Sequence, residues 1–315
     1  MNCPYSVSFV LIAYNQEAFI KEACEAALNQ MGEPIEIILS DDCSTDDTFQ
    51  IMQDVVRSYK GSHRVLLNRT VRNVGLIEHI NQVVELSSGD VIVYAAGDDI
   101  SLPNRVIQTL QMFESAGRSP LLIHSSVQEI NEQGVPLGLV HAPVFGKRFD
   151  CVKMAQKYSL VIGATCAWHR SIWQQFGRLI YATAYEDAVM ALRACMMGGE
   201  GALLYSESPL VEYRVNVAGV SQGGRYKPKT RIERQKFELK RLQTRSAICA
   251  QRLDDSLKFG AWPLVDILKQ EQANNEVIRL VYEKQTGWLS LIKIGLKKHA
   301  VIALMKAILK RLRTM

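Results

Sequence analysis

Apolar and polar positions alternate in blocks along the first 130 residues. "SVSFVLIA" (6–13), "PIEIILS" (34–40), "RVLLNR" (64–69) and "DVIVYAA" (90–96) are short runs rich in aliphatic and β-branched residues, the pattern of buried strands. Between them, apolar residues recur at helical spacing in "EAFIKEACEAALNQ" (17–30), "FQIMQDVVRSYK" (49–60) and "GLIEHINQVVELSS" (75–88). Repeated β–α units of this length predict a parallel sheet with helices on both faces. "PNRVIQTLQMFESAG" predicts a further helix, "PLLIHSSVQEI" a strand, and "NEQGVPLG" a hairpin-like turn. From 140 to 225 the alternation weakens into short apolar stretches around Gly, Trp and Tyr. Helices are predicted over 230–255, 262–285 and 288–312. The predicted architecture is an α/β domain over 1–225 with a mostly parallel central sheet, divided into halves 1–115 and 116–225. A helical region over 226–315 follows it.

Composition adds three points. A chain of 315 residues that is 48% hydrophobic can bury a sizeable core. The net charge of +5 is uneven: from Lys284 onward there are eight Lys or Arg and no Asp or Glu, so residues 1–283 carry about −3. The basicity therefore belongs to the tail, not to a nucleic-acid-binding face. The seven cysteines are scattered, odd in number and without C-x-x-C, which predicts neither a disulfide framework nor structural zinc and suits a reducing cytosol. No stretch reads as a secretory leader or as a run of about 18 apolar residues that would span a bilayer.

Ligands of parallel sheets bind at the carboxyl ends of the strands. "AYN", "SDDCSTDD", "NRTVRNVG" and "GDD" all follow predicted strands, so four polar loops converge on one edge. Asp98 and Asp99 are adjacent like charges that call for a balancing cation or substrate, unless they form a solvated turn. Ser44, Asp46 and Asp47 are of the type that caps a following helix. Glu186 and Asp187 open a helix in "YEDAVMALRA", where acids also complement the helix dipole.

In order and spacing, "VSFVLIAYNQEAFIKEACEAALNQ", "IEIILSDDCSTDDT", "NVGLIEHINQVVELSSGDVIVYAAGDDISLP" and "YEDAVMALRA" resemble the family 2 glycosyltransferases of the GT-A fold, over roughly residues 5–215. The resemblance implies a Rossmann-like domain, a nucleotide diphosphate sugar donor (a UDP-sugar first among candidates) and a divalent metal, Mg2+ or Mn2+. It implies nucleotide contacts from Ala13, Tyr14, Asn15, Glu17, Asp41, Arg72 and Asp98. Asp98 and Asp99 would hold the metal, although Ala96 stands where the family pattern has its first aspartate. Asp187, with Glu186 second, would be the base of an inverting transfer. Arg214 would contact the diphosphate, with Asn216 where the family often has His. Trp168 is either a stacking platform for the acceptor sugar or a core residue.

The same resemblance implies a glycan or lipid-linked acceptor, cell-envelope polysaccharide synthesis and a cytoplasmic location, peripheral on the inner face of the plasma membrane. Residues 288–315 have the apolar face and cations of a helix lying on an anionic membrane; a helix packed on protein, or a contact between copies, fits equally. Self-association is left open. Two rival readings are a non-catalytic nucleotide-sugar-binding protein, favoured by Ala96, and a nucleotidyltransferase, disfavoured because "AYNQEAF" is not a Gly-rich basic loop.

Overall fold

The computed structural model describes residues 5–115, 120–141, 150–158, 160–215, 228–283, 288–297 and 299–312. Asn216 lies outside them. The first four units form as the periodicity predicts: β1 (Val7–Ala13), α1 (Ile20–Leu28), β2 (Glu36–Asp41), α2 (Thr48–Ser58), β3 (Arg64–Arg69), α3 (Leu76–Leu86) and β4 (Val91–Ala96). Next come β5 (Ile100–Ser101), α4 (Arg105–Ser115), β6 (Leu122–Ile130) and β7 (Pro136–Val140). The weakly patterned stretch holds α5 (Cys151–Gln156), a 3-10 turn at Gly163–Thr165, β8 (Ala167–His169), α6 (Ser171–Phe176), α7 (Glu186–Gly198) and β9 (Leu203–Arg214). The C-terminal helices are α8 (Arg231–Phe259), α9 (Trp262–Glu283), α10 (Trp288–Lys297) and α11 (Val301–Leu312).

One sheet runs in the order β3-β2-β1-β4-β8-β6-β9-β5, with β7 paired to β6. β1 to β4 are mutually parallel, β6 and β9 run with them, and β8, β5 and β7 are antiparallel. The expected α/β fold with a mostly parallel sheet and a C-terminal helical region is what forms. Strand alternation divides the core. Phe9, Leu11, Val93 and Ala95 pack beneath α1, α2 and α4, whereas Val10, Ile92, Tyr94 and Trp168 face α3 and α5 to α9.

α8 is fastened to α7 by buried charge. Arg193 and Asp255 form an ion pair at 2.7 Å with both side chains almost fully enclosed, and Arg252 donates to the carbonyls of Ala188 and Lys157 at 2.7 and 2.8 Å. Two expectations are corrected here. Cys151 and Cys195 form a disulfide, because α5 packs beside α7 and brings their Cα atoms to 5.7 Å across 44 residues of sequence. The single helix expected over 288–312 is two helices: His299 adopts a left-handed backbone (φ 53°), and α11 packs back on α10, with Leu304 against Gly295.

Candidate active site

The register of the parallel strands sets Arg69, Asp41 and Ala13 side by side at the carboxyl edge. Asp41 is fully buried; it accepts from Ser44 N at 3.0 Å and pairs with Arg69 at 3.2 Å. Arg69 also lies over Phe49, so it is Arg69 that reaches Asp41, while Arg72 stands exposed on the next loop. Asp42 organises that loop by accepting from Thr70 Oγ1, Val74 N and Gly75 N at 2.9–3.0 Å.

The loops after β1 and β2 cap each other. Asn15, in the left-handed region at φ 51°, accepts from Thr45 N at 2.8 Å, and Glu17 accepts from Asp47 N at 3.0 Å. Asp46 takes the capping role expected of its cluster, accepting from Thr48 N at 3.1 Å. The side chains of Asn15 and Glu17 thus shape the crevice wall, and Tyr14, 44% exposed, stands at its opening.

The two adjacent aspartates part company. Asp98 is half-buried, while Asp99 turns inward and accepts from Arg214 N at 2.8 Å. Burial, and then the neighbouring Asp98 charge, push the Asp99 carboxyl well above the usual range. Arg214 is corrected from its expected role. Its guanidinium, 1% exposed, donates to Asp98 O, Asn131 O, Glu132 O and Glu22 Oε2 at 2.6–3.1 Å and lies over Phe19. With its donors directed into protein, it braces the Asp98–Asp99 turn rather than facing a diphosphate. Of the two readings of Trp168, the core one fits: at 2% exposure it lies between β4 and β6.

Glu186 and Asp187 open α7 without a side-chain cap at Tyr185. Burial raises both carboxyls; the Asp187 charge raises Glu186 further, whereas N–H donors from Ala188 and Gly163 and the Arg252 charge oppose the rise at Asp187. Gly163 is fitted against the pair: a Cβ there would lie 3.0 Å from Glu186 Oε1 and 3.2 Å from Asp187 Oδ2. The buried Tyr94 hydroxyl is held protonated by burial first and then by the charges of Glu186, Asp187 and Asp98. That shared influence brings the end of β4 and the start of α7 to one place.

Sequence reasoning gave no role to Tyr94, Gly163 or Arg105. The last is fully buried and donates to Tyr94 O at 2.6 Å and Ser101 Oγ at 2.9 Å beneath the acidic turn. A spacing rule offers no signal for such residues, because what each does depends on how separate elements are packed together.

Among the described residues no group of three or more His, Cys, Asp and Glu is arranged to hold a metal ion. The donors present still suit a hard cation shared with a ligand. Asp98 offers a hard oxygen, and the buried Gln16 Oε1 beside Gly97 has no protein partner. Mg2+ and Mn2+ accept one or two carboxylates when phosphate oxygens and water complete the shell.

Residues 8–134 match the family described as Glycosyl transferase family 2. The chain is 32% identical to EpsE of Bacillus subtilis over 114 residues, 36% of this chain and 40% of that protein. It is 28% identical to poly(ribitol-phosphate) beta-glucosyltransferase of Bacillus spizizenii over 132 residues, 41% of this chain and 20% of that one. It therefore spans two fifths or less of the length of these curated relatives. The crystal structure of S. aureus TarS 1–349 in complex with UDP-GlcNAc superposes with a TM-score of 0.56 at 13% identity, covering 95% of this chain and 90% of that one. Residues 8–134 thus resemble glycosyl transferase family 2, and the chain as a whole shares the fold of the TarS structure.

Proposed function

We propose that this protein is an inverting glycosyltransferase that moves a sugar from a nucleotide diphosphate donor, a UDP-sugar first, to a hydroxyl of a cell-envelope glycan or lipid-linked acceptor. The observation that carries the reading is the half-buried Glu186–Asp187 pair, raised by desolvation and close enough to Tyr94 to act on its hydroxyl together with Asp98. The TarS complex with UDP-GlcNAc and the poly(ribitol-phosphate) glucosyltransferase relative support the donor and the kind of acceptor.

Asp41, fully buried, holds Arg69 at the crevice, and the part-exposed Arg69 guanidinium and Tyr14 are suited to meet the base or ribose. Asp98 would hold Mg2+ or Mn2+ against the diphosphate, supplying charge neutralisation to the leaving group. Asp187 takes the proton from the acceptor hydroxyl as it attacks the anomeric carbon opposite the diphosphate. Its raised basicity serves that step, because a stronger base removes a hydroxyl proton more readily, while Gly163 and Ala188 N–H groups fix its orientation. Ala96, where the resemblance implies an aspartate, leaves Asp98 as the carboxylate for that role. Glu186 shares the proton of the pair.

Isothermal titration with UDP, GDP, dTDP and CDP, each with and without Mn2+, identifies the donor base; turnover of the matching sugar nucleotides then follows. Asp187→Asn is expected to keep nucleotide affinity and lose about 10²- to 10⁴-fold in kcat. Full turnover by Asp187→Asn would remove the base from this position. Nucleotide binding by a chain that turns over no donor would favour the non-catalytic reading.

A further inference from the structure

We propose that α10 and α11 seat the protein on an anionic lipid surface. Both helices are two-faced. Leu291, Ala300, Leu304 and Ala307 pack inward with Val277 and Val281 of α9, which fixes the orientation of the hairpin on the body of the molecule. The opposite side is apolar and uncovered. Ile302, Met305 and Leu309 are 71%, 58% and 52% exposed, and helical spacing puts them on one stripe of α11, with Val301 at its edge. On α10, Ile292 and Leu296 are 48% and 59% exposed one turn apart.

Charge selects the occupant. Lys293, Lys297 and Lys306 are exposed and flank these stripes, and the sequence from Lys284 to the C-terminus holds eight cations and no acid. A second copy laid on this face would bring two such cationic surfaces together, whereas an anionic bilayer meets them with the opposite sign. Among the described residues no helix is long and apolar enough to cross a membrane, so the geometry is that of a helix pair lying in the interface. A cleft of about 480 Å3 opens between α8, α9 and α11 beside the stripe, with Ile302 and Lys306 on its α11 wall. Arg241 and Arg245 line it together with Glu238 and Glu271, and Arg241 pairs with Glu238 at 3.6 Å. Two arginines and a lysine against two glutamates leave this cleft net positive, a place for a lipid phosphate once the apolar side chains enter the acyl boundary.

The experiment is flotation of the full chain with vesicles of equal parts phosphatidylglycerol and phosphatidylcholine, and with phosphatidylcholine alone. Binding is expected only to the anionic vesicles, and to weaken as salt is added. The triple variant Ile302→Asp, Met305→Asp, Leu309→Asp should reduce the bound fraction at least about tenfold. Lys293→Gln, Lys297→Gln, Lys306→Gln leaves the stripe intact and should remove the preference for phosphatidylglycerol while thermal unfolding stays unchanged. Absence of binding to anionic vesicles overturns the proposal. So does a triple Asp variant that floats like the parent, or one whose only change is loss of a dimer in light scattering. None of these readouts needs a donor or an acceptor, so they stand apart from the test of transfer.

Discussion

Two groups of acids at the ends of the central sheet are treated oppositely: Asp90 and Glu36 at the amino edge, and Asp99, Glu186 and Asp187 at the carboxyl edge. At that carboxyl edge Asp41 and Asp42 are themselves well supplied with donors. At the amino edge, Ser6 donates to Asp90 twice, at 2.7 and 3.0 Å, and Glu36 accepts from Ser8 Oγ and from Ser88 N at 2.8 Å. The Ser6 donors hold Asp90 below the usual carboxylate range; at Glu36 burial works the other way but is outweighed by Ser8, Ser88 and Arg64. At the carboxyl edge, Asp99, Glu186 and Asp187 are all raised, with burial the first cause at each. A saturated carboxylate seals a sheet edge. One that is buried with too few donors stores basicity, which is what a proton acceptor requires. The contrast separates these two groups of acids without reference to any ligand.

Two arginines, one buried and one half-buried, give the strongest way to break that contrast. Arg214 braces the carboxyl edge, and Arg170 braces the amino edge by donating to Gly89 O at 2.6 Å and Ser87 Oγ at 2.8 Å. Replacing either with Ala should cost about 2–4 kcal/mol in urea unfolding, since several buried acceptors lose a charged donor. Only Arg214→Ala should also weaken nucleotide binding, because it frees the turn that holds Asp98. An equal loss of nucleotide affinity in Arg170→Ala would abolish the distinction.

Gly163→Ala is a smaller and more local probe. Its Cβ would press on both carboxylates of the Glu186–Asp187 pair, so on the proposed mechanism kcat should fall about tenfold while nucleotide affinity and melting temperature hold. Unchanged kcat would mean that the pair need not be held in place. Smallest in effect is the pH dependence of stability, where the two edges should have opposite signs. Lowered native pKa values at Glu36 and Asp90 give stability that is present above the ordinary carboxylate range and lost as pH falls. Raised values at Glu186 and Asp187 make the native state hold protons longer than the unfolded chain, so stability declines as pH rises from the ordinary range toward the raised one. Glu36→Gln should flatten the acid limb and Glu186→Gln the decline above it, both measured as urea midpoints across pH.

The β–α alternation was legible because it rests on periodicity, and β3 occupies the predicted 64–69. The convergence of four loops on one edge followed from that alternation alone. What escaped the sequence depends on long-range contacts. Nothing in "GDD" says that Asp99 faces inward, since its partner is the backbone of residue 214. Trp168 reads identically as a stacking platform or as core until β6 and β4 are seen to enclose it. The pairing of Cys151 with Cys195 required α5 to lie on α7, in the region where the patterning is weakest.

The reach of Arg214 also dictates when the site can exist. The acidic turn is made early, yet its brace is 115 residues further along the chain. During synthesis at about 5–20 residues per second, the turn waits on the order of ten seconds for that partner to emerge. A nascent chain halted before β9 can lay down β1 to β4 but has no braced acidic turn, so on the proposed function the ability to engage a nucleotide is acquired late and only by a chain that has completed its sheet.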